Sequence, residues 1–305
     1  HNNKRKHQKQ VNTSKQLASS LHFAAMAPSF GRSISFPLSP ARASRPRAAA
    51  YHVRSVSLPC RSHPLLAHLC THIAAVRSWV STPTSPSTGL AHLDALHAAL
   101  AELLLLPEAR SALHYGSATA ASLLEGFLVL ADAHGAFQET VVEISAHACE
   151  AQAALRRSDD NRLASAVRSL RRADKDLARL AVSVRAAAKL PTPSASSSAA
   201  EEVEVSGALV EAVAAAACAS AAVFSAVQAV SEAATSALAS RKTVTSSFLS
   251  LVKSGKAAAS DEDRLERLEN VEACVAEMES GSDRVFRSIL HTRVALLNIQ
   301  TQTCC

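Results

Sequence analysis

From Glu108 to Leu190, and again from Ser194 to Cys305, the chain contains no proline. Proline and glycine cost a helix most, and alanine costs it least. Gly occurs 8 times and Pro 11 times in 305 residues, while Ala alone fills 62 positions. Average usage is about 7 % Gly and 5 % Pro, so breakers are scarce. Sandwiches, barrels and Gly-rich nucleotide folds are excluded, and the chain is predicted to be all-α.

Apolar periodicity then places the helices. The stretch 63–80 carries Pro64 in its first turn and sets Leu65, Leu69, Ile73 and Val76 on one face. Residues 82–89 read as a loop, 90–106 as a second helix and 108–114 as a short third. Gly135 is predicted to separate 118–134 from 136–157, and a basic helix covers 160–189. The linker 190–200 precedes an Ala-rich helix at 201–240 and a shorter one at 243–254. In the last helix, 261–303, Leu268, Val275, Ser282, Ile289 and Leu296 fall seven apart. So do Val271, Met278, Val285, Thr292 and Ile299, which gives a coiled-coil-like seam. At 1.5 Å per residue such a helix spans about 65 Å, against about 46 Å for the diameter of a compact domain of this size. An elongated bundle over 63–303 is therefore expected, with a kink at Ser280–Gly281–Ser282 and residues 163–184 covering the seam.

Charge divides the chain. Residues 1–61 hold eleven Lys or Arg and no acid, so the formal +6 of the whole conceals a net −5 in the remaining 244 residues. One-signed segments of this kind are disordered tails, and 1–62 is read as one. Met26 and Met278 are the only methionines, so 1–25 is read as non-native sequence ahead of a start at Met26. The Ser/Arg/Pro-rich stretch 26–62 also suits a plastid transit peptide. Seven cysteines without a CxxC pair indicate free thiols in a reducing compartment. A cytoplasmic location is expected, with plastid or peripheral membrane as alternatives.

Within the tail the hexapeptide R-S-x-S-x-P occurs twice, as Arg32–Pro37 and Arg54–Pro59. Arg32 and Arg54 lie three before Ser35 and Ser57, a basophilic-kinase spacing, and Pro37 and Pro59 lie two after. This arrangement resembles a 14-3-3 ligand. A phosphate adds about −1.5 to −2 charge for an Arg cluster to grip, and two such sites on one tail gain avidity of about 10²–10⁴ on a dimeric adaptor. The competing readings are chance in a Ser/Arg/Pro-rich tail and, for the second copy, a segment docked beside the bundle.

Three stretches together resemble a known family: HVRSVSLPCRSHPLL at 52–66, AALRRSDDNRLASAVRSLRRADKDLARL at 153–180, and VFRSILHTRVALLNI at 285–299. The chain resembles, over about 52–300, a plant-specific family catalogued as a domain of unknown function and allied to the BYPASS proteins. The resemblance implies a role in root and shoot development and brings no reaction or ligand with it.

Arg168, Arg171, Arg172, Lys175 and Arg179 share one broad helical face. Such a face suits an anionic membrane surface, or is a solvated bundle face neutralised by Glu266, Glu269 and Glu272, the reading preferred here. Nucleic acid is not expected, since aromatics for stacking are missing from that helix. Residues 212–231 carry no charge over a length that spans a bilayer; ten of them are Ala, and a packed interior helix is the preferred reading. Cys304 and Cys305 invite lipidation or are exposed thiols. His68 and His72, one turn apart, are read as structural, with no metal or cofactor expected. HExxH, GxSxG, P-loop and GxGxxG motifs are absent, Gly116–Ser117 has no nucleophile elbow around it, and Glu201–Glu202 fall in linker-like sequence. The sequence therefore predicts a non-catalytic interaction or regulatory protein, or else a peripheral membrane protein.

Overall fold

The computed structural model describes residues 63–114, 116–189, 200–239 and 260–302. All of them belong to one unit, 57–305, distinct from 1–56. They form seven α-helices with no strand among them: α1 (Pro64–Ser81), α2 (Pro86–Leu103), α3 (Pro107–Ala112), α4 (Ala118–Arg156), α5 (Asp160–Val184), α6 (Ala200–Ala239) and α7 (Asp261–Gln302). A 3₁₀ turn, Arg185–Lys189, extends α5. The RSxSxP tail, the stretch 243–254 and Cys304–Cys305 lie outside the described residues.

Prolines open the first three helices at their first or second position, where a missing N–H costs nothing and a fixed φ is already helical. That chemistry corrects the loop expected at 82–89. Pro86 starts α2, and Ser85 Oγ caps it by accepting from the Thr88 N–H at 3.2 Å. Asp159 caps α5 in the same way through the Arg162 N–H at 3.0 Å. Ser260 and Asp263 cap α7 reciprocally, each side chain accepting from the other's backbone N–H at 3.0–3.1 Å. Between α3 and α4 the chain reverses at Gly116 with φ +83°, a conformation that favours glycine.

The break expected at Gly135 is absent. Helix α4 runs through Gly135, and α7 runs through Ser280–Gly281–Ser282. A glycine inside a helix costs only about 1 kcal/mol, which packing offsets readily. At Gly281 the missing side chain lets Leu90 of α2 approach to within 3.3 Å of where a Cβ would stand.

The heptad seam of α7 is buried at nine of its ten positions, with Val275 half-buried. The helices that cover it are α4, α2 and α6, not α5 as the sequence reading has it. Helix α4 runs antiparallel to α7: Gly135 lies beside Phe286, Cys149 beside Glu272, Arg156 beside Glu269, and Leu113 beside Gln300. Helix α5 folds back along α4 through a tight turn at Ser158, φ +57°, and packs on α4 and α6 instead.

Helix α6 touches every other helix. Between Val205 and Phe224 only Glu211 and Cys218 are exposed. The span 212–231 is thus an interior helix, as its alanines predict: small side chains bring neighbouring backbones close on all sides. At its centre Phe224 stacks on Phe137 with ring centroids 4.4 Å apart. Gly89 of α2 meets α6 where Trp79 of α1 also enters. A Cβ on Gly89 would overlap the Trp79 ring and stand 2.7 Å from Val223 Cγ2. Gly89→Ala is therefore expected to destabilise the protein by about 1–3 kcal/mol despite alanine's better helix propensity, seen as a fall in Tm of several degrees.

Candidate functional site

Helix α5 has two unlike faces. Leu163, Val167, Leu170, Ala173, Leu177, Ala181 and Val184 are buried. Opposite them Arg168, Arg171, Arg172, Lys175 and Arg179 are all exposed. Arg168, Arg172, Lys175 and Arg179 recur at helical spacing along about 16 Å, so their charges form one ridge. Arg162 and Arg185 are also exposed at the two ends of α5, off the line of the ridge, and Arg162 pairs with Asp159.

The expected neutralisation by the last helix is not there. Arg156 of α4 reaches Glu269 at 3.8 Å, while Glu272 accepts from the Cys149 thiol at 2.9 Å. Helix α5 does not pack on α7, and none of its cations pairs with Glu266, Glu269 or Glu272. Arg179 pairs with Asp176 of its own helix at 2.8 Å, an exposed pair that contributes little. Arg168, Arg172 and Lys175 have no ion-pair partner among the described residues. Val182, 69 % exposed, lies on the same face beyond the ridge.

Beneath the ridge is an acid that the sequence reading passed over. Asp174 is only 4 % exposed and lies against Ser231, Glu232 and Thr235 of α6. Burial pushes its carboxyl up to about 6; Glu232 adds to the rise, while Ser231, Thr235 and Arg171 oppose it. The Ser231 and Thr235 hydroxyls are the polar groups that face its carboxyl from α6, and no hydrogen bond of regular geometry reaches its Oδ1. The signal was present in the sequence, because Asp174 stands seven residues after Val167 on the apolar face of α5.

Two histidines of the core are also held neutral. Burial lowers His97 to about 4 and His134 to about 3. Ser220 Oγ donates to the Ala216 carbonyl at 2.8 Å and lies 2.8 Å from His134 Nε2, so it accepts from a protonated Nε2. At the surface His68 and His72 bring their Nε2 atoms to 3.1 Å, with Glu102 3.9 Å from His68 Nδ1. The described residues contain no group of three or more His, Cys, Asp or Glu able to hold a metal ion. Cys70, Cys149, Cys218 and Cys274 are free thiols.

The family model described as Protein BPS1 matches residues 89–299. The chain belongs to the BPS1 family. The match takes in two of the three stretches that carry the sequence resemblance, 153–180 and 285–299, and begins beyond 52–66. No curated protein and no solved structure matches the chain. Membership in the BPS1 family points to a plant developmental regulator, and the α5 ridge is the feature of its folded part with the most concentrated charge.

Asp174 yields a prediction for that region. An acid whose folded pKa is raised binds its proton more tightly when folded, so its contribution to stability declines as pH rises from about 4 to about 6. Asp174→Asn removes this loss. Relative to the wild type, the variant is expected to gain about 1–3 kcal/mol between pH 4 and pH 7, measured by urea unfolding at both pH values.

Proposed function

We propose that the protein is a non-catalytic interaction and regulatory module of plant root and shoot development, cytoplasmic, with a tail that is phosphorylated and then bound by 14-3-3 adaptors. The observation that carries the tail reading is the repeated hexapeptide, with Ser35 and Ser57 in identical settings 22 residues apart. The non-catalytic reading rests on the interior helix α6, where Ser220 and Thr235 donate to carbonyls of their own helix. Protein partners rather than nucleic acid fit a chain whose charged helix carries no aromatic residue. After phosphorylation by a basophilic kinase, the full chain is expected to bind purified 14-3-3 tightly. Ser35→Ala or Ser57→Ala alone should weaken binding by about 100-fold as avidity is lost, and the double variant should abolish it. Binding that is the same in all variants contradicts the reading.

A second reading is favoured by the ridge itself. Three unpaired cations and exposed Val182 on one face suit the surface of an anionic membrane, with Cys304 and Cys305 as further anchors if they are lipidated. Each Lys or Arg near such a surface contributes about 1 kcal/mol. Arg168→Glu/Arg172→Glu/Lys175→Glu is then expected to lower partitioning onto phosphatidylserine-containing vesicles by at least 100-fold. Equal binding to purely phosphatidylcholine vesicles contradicts this reading.

A further inference from the structure

Helices α4 and α7 do not close completely along their outer seam. A groove of about 420 Å³ lies between them, floored by Leu128, Ala131, Phe286 and Leu290. Leu290 is 40 %, Val294 52 % and Leu297 38 % exposed. With Phe286 these residues continue one apolar strip at helical spacing up α7, on the side turned away from the buried heptad seam. Three large exposed aliphatics within eight residues stand out on a helix whose other face is already satisfied.

The rim of this groove is charged, and the charge has one sign on the α4 side. Asp132 and Glu139 line the groove, and Glu125 continues their seven-residue row just beyond it; all three are exposed and have no ion-pair partner among the described residues. Seven residues is two helical turns, about 10.5 Å, so the acids form a straight row beside the apolar floor. On the α7 side Arg287 is neutralised by Asp283 one turn earlier. Arg293 lines the groove with its Nε buried and unpartnered.

We propose that the α4/α7 groove is the docking site for a basic amphipathic helix of a partner protein. Its apolar side chains, spaced i, i+4, i+7, lie over Leu128, Phe286 and Leu290, as in other helix-in-groove complexes. Lys or Arg at seven-residue intervals along its flank faces Glu125, Asp132 and Glu139, the pattern by which flanking charges fix helix pairing. The groove lies on α4 and α7, whereas the basic ridge lies on α5, which does not pack on α7.

The test uses the full chain and two labelled helical peptides of about 18 residues with the same leucine spacing, one with Lys and one with Glu at all other positions. Fluorescence anisotropy is expected to show binding of the Leu/Lys peptide and none of the Leu/Glu peptide. Leu290→Glu should weaken the Leu/Lys complex at least ten-fold, and Asp132→Lys/Glu139→Lys should reverse the preference between peptides. Both variants alter exposed positions, and circular dichroism verifies their folding. Arg168→Glu/Arg172→Glu should leave peptide binding unchanged, which separates this site from the ridge. The proposal is overturned if neither peptide binds, if Leu290→Glu binds as the wild type does, or if the charge reversal changes nothing. It is equally overturned if light scattering shows a wild-type dimer that Leu290→Glu dissolves, because the groove's occupant is then a second copy.

Discussion

Close approach of backbones to α6 is the constraint from which the rest of the structure follows. A helix that touches all its neighbours has room for little beyond alanine, and Ala212, Ala215, Ala216, Ala217, Ala219 and Ala221 are all buried. Small side chains bury little apolar area individually, at about 25 cal/mol per Å². Stability then comes from the larger residues that neighbouring helices bring to α6, among them Phe137, stacked on Phe224, and Trp79, which enters beside Val223 at Gly89. The same crowding explains Gly89, where α2 approaches Trp79 and Val223 too closely for a Cβ.

Polar groups inside such a bundle fix which helices pair and in what register. His134 and Ser220 tie α4 to α6, and Arg264 donates from the start of α7 to the Ala237 carbonyl near the end of α6. An unpaired buried group costs about 1–3 kcal/mol, so a slipped register that broke these bonds would be penalised. Asp174 belongs to the same class but is poorly satisfied, and its raised pKa reflects this. Of the cations of α5 it is Arg171 that acts on it, so the basic face and the packing of α5 on α6 meet at one carboxyl group.

Much of the helical order was legible because single residues carry unambiguous physics. The two heptad series of α7 pointed to the buried face, and Pro64 marked the start of α1. The uncharged 212–231 span reads as an interior rather than a bilayer helix from its alanine content and from Gln228 within it. What stayed hidden depends on contacts between distant residues. Gly135 reads as a break until Phe286 is seen beside it, 151 positions away. Periodicity tells which face of α7 is covered and says nothing about the covering helix, so α5 was placed where α4 lies. The ridge was legible as a charged face, yet its lack of partners was not, because neutralisation depends on which helices touch. The α4/α7 groove belongs to neither helix singly, and its acid row becomes meaningful once Leu290 and Phe286 are set beside it. The tail motif and the terminal cysteines were legible as sequence and lie outside the described residues.

Native-state hydrogen exchange tests the central role of α6 most directly. Local openings expose surface helices first, and the innermost element exchanges only with global unfolding. The account predicts that amides of about residues 212–227 are the slowest in the protein, with an opening free energy equal to that from denaturant unfolding. Exchange in that stretch as fast as in α5, or faster, would contradict it.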